Sequence, residues 1–230
     1  MGIRKPKDRI KKHQHREASG FSLLEMMMVV VIVMIASVVT VISLTPALQQ
    51  QRLTNGYNTT IAAMRQARDN AVSQRTSFSV TFSNSSTPNT IVVAWAPTAG
   101  ETSLPGGNVP PTVTYQLPAG VAFYVTAPGI AGPDGYGTGT TPIDLGYTAN
   151  GSTGGQSTVY FCPDGSAQDS EGGGGNCAGS WDGGAVYISW VGSTNVQATM
   201  SRAVSLWGGT GRIRGWRLYP SASTYQWVRN

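Results

Sequence analysis

The sequence predicts an α+β fold: one long N-terminal helix followed by an antiparallel β-sheet head. Three observations lead there. The hydrophobic run from Phe21 to Leu44 carries no charge apart from Glu25, an amphipathic stretch continues it to residue 75, and beyond that the apolar spacing shortens to two. The same boundaries divide the chain into a leader (1–20), an apolar helix (21–44), its amphipathic continuation (45–75) and a β-rich head (76–230).

The leader is basic. Residues 1–19 hold seven Lys and Arg against Asp8 and Glu17, a net of +5 that equals the formal charge of the whole chain. From Gly20 onward nine Arg balance nine Asp and Glu. The pI near 9.4 therefore belongs to the leader and does not by itself mark the rest as a nucleic-acid binder.

The apolar run of 24 residues reaches about 36 Å as a helix at about 1.5 Å per residue, enough to cross a hydrocarbon core of about 30 Å. Lys and Arg precede it, which predicts a cytoplasmic leader and a head on the far side. A secretory signal peptide is the alternative, but its apolar core is about 7–15 residues and ends in a small-x-small site. Here the run is longer and no such site follows.

Glu25 is the anomaly in this run. A carboxylate at the centre of a span costs about 2.5–3.5 kcal/mol even on insertion scales, so an intramembrane acid is read as functional. Helix-dipole stabilisation of an acid in the first turn is the structural alternative. It does not account for the Gly20-Phe21 junction four residues earlier. Cleavage there would create an α-ammonium able to pair with the Glu25 carboxylate of a neighbouring copy.

Gly20-Phe21-Ser22-Leu23-Leu24-Glu25, behind a basic leader and ahead of an apolar run, resembles the prepilin processing motif of type IV pilins and type II secretion pseudopilins. The resemblance implies cleavage after Gly20 by a prepilin peptidase, N-methylation of Phe21 and a role for Glu25 in assembly. It further implies residence in the bacterial inner membrane with the head in the periplasm, and other pilin or pseudopilin subunits as partners. The long leader and the late proline, Pro46, depart from the commoner pattern and leave the subfamily open.

Leu53, Tyr57, Ile61, Met64, Ala67, Ala71 and Val72 recur at three- and four-residue spacing, a stripe that faces a core, while Arg52, Arg65, Arg68 and Arg75 mostly lie off it. Strands are predicted at Phe78–Phe82, Thr90–Trp95, Val113–Leu117, Val121–Thr126, Thr158–Phe161, Ala185–Val191, Ala198–Leu206, Arg212–Tyr219 and Tyr225–Val228. Gly/Pro/Ser/Thr clusters, notably 97–111 and 128–155, separate them. This layout resembles, more loosely, H-type minor pseudopilins and FimT-like minor pilins.

Cys162 and Cys177 flank 14 residues. In an exported head an even pair points to a disulfide, worth about 3 kcal/mol for a loop of this size, with free thiols as the alternative. Asp164, Asp169 and Glu171 in that loop do not follow a calcium-binding spacing, and a solvated acidic loop is the expectation, with no metal and no cofactor. Both histidines and every lysine fall in the leader. The mature chain thus has no His or Lys to serve as general base, nucleophile or zinc ligand, its acids are scattered through Gly-rich loops, and no enzyme is expected.

The C-terminal stretch 202–230 carries five Arg and no acid. Gly211-Arg212-Ile213-Arg214 resembles a Gly-Arg-x-Arg tail of FimT-like minor pilins linked to DNA uptake. On a strand, Arg212 and Arg214 share one face with Trp216, and Arg217 takes the other. Binding DNA, guarding an edge strand and contacting a neighbouring subunit are all open to these arginines. The reading as a whole is a structural subunit of a pseudopilus or pilus. The alternative is a membrane-anchored periplasmic binding module that never polymerises.

Overall fold

The computed structural model describes residues 20–97, 102–104, 107–137, 139–148, 154–168, 177, 182–192, 198–222 and 224–230. The chain forms two units, Met1–Thr45 and Pro46–Asn230.

In the first unit, helix α1 (Leu23–Gln74) begins where the Ser22 carbonyl accepts the Met26 N–H at 3.1 Å. Every side chain from Phe21 to Val38 is exposed. The 18-residue window of highest mean hydropathy reaches 2.9, making α1 long and apolar enough to cross a membrane. Two hydroxyls in this apolar stretch bond backward to the helix itself: Ser37 Oγ to the Val33 carbonyl at 2.7 Å and Thr40 Oγ1 to the Ala36 carbonyl at 2.8 Å. Neither needs water.

In the second unit, the rest of α1 packs against antiparallel β-structure. Strands β1 (Phe78–Ser83), β2 (Thr90–Trp95), β3 (Val113–Gln116), β6 (Thr158–Phe161) and β7 (Ala167–Gln168) form one sheet in the order β3-β2-β1-β6-β7. Strands β4 (Val121–Phe123), β8 (Asp182–Trp190), β9 (Ser201–Trp207), β10 (Arg212–Ser221) and β11 (Thr224–Arg229) form a second, in the order β11-β10-β9-β8-β4. Here β5 (Ile143–Thr148) also pairs with β8.

One core joins the helix and both sheets. Leu53, Tyr57, Met64, Ala67 and Ala71 are buried, and so are Val80 and Phe161 from the first sheet and Val186, Ile188, Val204 and Leu206 from the second. Phe82 meets Phe123 edge-on at 5.6 Å, linking the two sheets. The helix stripe differs from expectation at its end. Val72 is exposed, whereas Thr60 and Ala63 are buried. A period of 3.6 carries the stripe through 53, 57, 60, 64, 67 and 71, and one residue further is already turned away by about 100°. Thr60 fits this apolar face because its hydroxyl donates to the Gly56 carbonyl at 3.0 Å.

The second sheet is covered on both faces, which explains why all of β8 is buried. Ala185, Tyr187 and Ala203 on its far side pack with Val125, Tyr136, Trp216 and Trp227. Strand β5 lies inside the segment expected to be irregular. It is bulged between Leu145 and Tyr147, with Gly146 at φ 90°, and the extra residue breaks the alternation that would have marked it as a strand. The predicted strand at Ala198–Leu206 begins later, because Ala198–Met200 form a 3-10 turn. The one predicted at Val121–Thr126 ends at Phe123.

Candidate functional site

Two regions carry the residues singled out in the sequence. At the start of α1, Gly20 and Phe21 precede the helix and Glu25 sits in its first turn, all three exposed. The helix is entered at Leu23, so the Gly20-Phe21 bond lies in non-helical chain.

The second region surrounds the Gly211–Gly215 turn and strand. In register, Arg212 pairs with Trp207, Arg214 with Ser205, Trp216 with Ala203 and Arg217 with Arg202. Arg212, Arg214 and Trp216 thus share one face and Arg217 lies on the other, where Val204, Leu206 and Ile213 meet the core. The three arginines nevertheless have three different environments.

Arg214 is held inside the chain. Its Nη1 donates to Asp134 Oδ1 at 2.5 Å, Ser205 Oγ donates to Asp134 Oδ2 at 2.5 Å, and Trp216 Nε1 donates to Ser205 Oγ at 2.8 Å. Asp134, at φ 59° in the 3-10 turn Pro133–Gly135, thereby fastens the turn that covers this face. Burial, reinforced by Asp134, pushes the neighbouring Tyr136 phenol up to about 12. Arg217 stacks on the Tyr219 ring at 5.0 Å.

Arg212 faces an open groove. That groove, about 510 Å³, is lined by Arg65, Arg68 and Asp69 of α1 and by Trp207, Thr210, Gly211, Arg212 and Ile213. Arg68 builds it: its Nε donates to the Gly165 carbonyl and its Nη2 to the Thr210 carbonyl, each at 3.2 Å. Gly211 takes a left-handed φ of 56° as its cap, and a Cβ there would overlap the Gly165 carbonyl. With Arg68 so engaged, Arg65 and Arg212 stay exposed beside Trp207, which is 45% exposed. Three guanidinium groups against the single carboxylate of Asp69 leave the groove cationic. The helix arginines were visible as residues off the apolar stripe, but nothing in their spacing announced that they meet the β9–β10 turn.

Cys162 and Cys177 are joined, with Cα atoms 5.6 Å apart. Asp164 closes a turn within their loop, accepting from the Ser166 N–H at 2.9 Å and Ser166 Oγ at 2.6 Å, bonds that hold its carboxyl below the ordinary range. Asp169 and Glu171 lie outside the described residues. Among the described residues no group of three His, Cys, Asp or Glu side chains is placed to hold a metal.

Residues 15–41 match the family model of the prokaryotic N-terminal methylation motif. The match spans Gly20, Phe21, Glu25 and most of the apolar run, and such a motif implies processing by a peptidase. No curated protein and no solved structure matches the chain.

Proposed function

We propose that this chain is a pilin-like filament subunit. The leader is removed after Gly20 by a prepilin peptidase, the new amine of Phe21 is methylated, and the apolar half of α1 holds the subunit in the inner membrane with its head in the periplasm. Assembly then draws the helices together, with Glu25 of one copy meeting the amine of another. The role is structural rather than catalytic, in a type II secretion pseudopilus or a type IV pilus.

One observation carries this reading: the methylation motif at residues 15–41 runs into a helical stretch whose side chains from Phe21 to Val38 are all exposed. Such a surface needs a bilayer or other helices around it. Intact mass of the membrane-extracted protein tests it. The expected species begins at Phe21 and carries one methyl group. A species retaining the leader, or one trimmed near Ala36, refutes it.

A second reading is favoured by the groove. Arg65 and Arg212 beside an exposed Trp207 suit a polyanion with stackable bases, and DNA is the candidate. This role is compatible with membership in a filament.

A further inference from the structure

Among the described residues, Arg202 and Arg217 of the second sheet are two cations that form no ion pair. Arg202 on β9 stands directly opposite Arg217 on β10. Both lie on the helix-side face, two residues along from Val204 and Gly215, and Arg202 stands opposite Ile188 of β8 on its other side. Arg202 is only 6% exposed, yet its Nη1 donates to a backbone carbonyl, that of Ser201, at 3.0 Å. The Nε of Arg217 is buried without a hydrogen-bond partner. The one ion pair among the described residues joins Arg214 to Asp134 and involves neither. The adjoining segment 193–197 contains no acid in its sequence.

Like charges directly opposite on neighbouring strands repel, and a buried guanidinium without a counter-ion is costly. Burial and Arg217 together push the Arg202 guanidinium below its ordinary value. A chain selected for stability alone would place a carboxylate or an apolar side chain here. The surroundings are those of an interface: Tyr219 and Val228 are 40% and 39% exposed, Arg217 lies across from Val228, and Tyr57 closes the inner end against Gly215. Arginine and tyrosine are among the side chains on which protein interfaces concentrate binding.

The geometry points to the Arg202–Arg217 pair as a docking site for an Asp or Glu side chain of a neighbouring filament subunit, seated between Tyr219 and Val228. A carboxylate on a side-chain stalk reaches a recessed guanidinium and matches its fork with two parallel hydrogen bonds. A nucleic-acid backbone, whose phosphates lie along a bulky strand, does not reach a side chain this deeply buried. The origin of the partner rests on the filament reading, but the carboxylate chemistry does not.

The test uses full-length protein in detergent micelles, labelled with nitrogen-15 at arginine. The probes are acetyl-Ala-Glu-Leu-Ala-amide, its Gln twin and inorganic phosphate at equal ionic strength. The Glu peptide is expected to shift the Nε–H signals of Arg202 and Arg217 saturably, about tenfold tighter than either control. Equal shifts with phosphate, or none with the Glu peptide, overturn the proposal.

Two variants sharpen it. Arg217→Gln should abolish the shift at Arg202 while the melting temperature holds or rises, and a fall would make the pair a structural element instead. Val228→Glu places an acid opposite Arg217 and should both raise the melting temperature and block the peptide. Wild-type peptide binding by that variant also counts against the site. An unprocessed leader in the mass measurement refutes the filament reading and leaves these results standing.

Discussion

Arg214 and Asp134, eighty residues apart, meet at 2.5 Å, and that contact decides what the Gly-Arg-Ile-Arg segment can do. Their side chains are 21% and 9% exposed, so the pair is largely withdrawn from water, and Ser205 and Trp216 complete its hydrogen bonding. An arginine so engaged is a fastener for the loop over the second sheet. It is not a free cation for a ligand.

Removing the acid leaves a half-buried guanidinium without a partner. Asp134→Ala should therefore destabilise the chain by about 2–3 kcal/mol, and Asp134→Asn, which keeps an acceptor for Ser205, by less. A double-mutant cycle with Arg214→Ala, read by chemical denaturation, should give a coupling of about 1–3 kcal/mol. Additive single effects would mean the contact contributes nothing.

The glycines of this segment serve packing. A Cβ on Gly215 would overlap the Tyr57 hydroxyl, so helix and sheet approach this closely only with glycine there. Gly215→Ala should cost about 1–3 kcal/mol by overpacking. Trimming the obstruction in a Tyr57→Leu background should recover part of the loss in thermal melting.

How much of this was legible in the sequence depends on what sets each feature. The Gly20–Glu25 hexapeptide and the apolar run are local, and they read directly. Strand faces are also local: the two-residue period separated Arg217 from Arg212, Arg214 and Trp216. Partners are not local. Asp134 sits in a Gly- and Pro-rich loop eighty residues before Arg214, and no periodicity links them. The groove escaped for the same reason, since Arg68 finds Gly165 and Thr210 only after the helix docks. Strand β5 was hidden by its bulge at Gly146, and Val72 fell outside the buried stripe through the mismatch between a counted spacing and the true helical angle.

Asp144 supplies a pH signature. It is 4% exposed. Burial raises its pKa above the ordinary 3.8, more than the hydrogen bonds from Tyr147 Oη and the Gly155 N–H, each 2.9 Å, lower it. A raised carboxyl pKa inverts the usual acid case: the folded chain binds the proton more tightly than the unfolded one, so this group makes stability fall as pH rises from about 3.8 through the raised value. In Asp144→Asn that contribution disappears. Relative to wild type, the variant should become progressively more favourable as pH rises through that window, measured by urea unfolding. A constant difference across the window would show that Asp144 ionises normally.

Glu25 is predicted to matter for assembly and not for insertion. Replacing a carboxylate in a span removes a cost that reaches about 2.5–3.5 kcal/mol at the centre and is smaller near the end, so Glu25→Ala should enter membranes at least as well as wild type. It should be scarce in sheared filaments, because the neighbour's amine has lost its counter-charge. Filament levels matching wild type would dismiss the pairing.

The groove gives the last prediction, and it separates the arginines by environment. Arg65 and Arg212 are exposed there, Arg68 is tied to two carbonyls, and Arg214 is neutralised by Asp134. Each phosphate contacted contributes about −0.9 to the log–log salt slope on duplex DNA. The Arg65→Ala/Arg212→Ala variant of the full-length protein in micelles should therefore weaken binding and flatten that slope by about 1.8. The Asp134→Ala/Arg214→Ala variant removes a matched pair of charges and should leave the slope where it was. Trp207, nearly half exposed and braced edge-on by Tyr136 at 5.9 Å, offers a stacking face, so Trp207→Ala should cost single-stranded DNA about 1–3 kcal/mol and duplex much less. If wild type binds no DNA at low salt, the groove has no such role. If the Arg214 variant loses as much slope as the Arg65/Arg212 variant, DNA is held elsewhere on the tail.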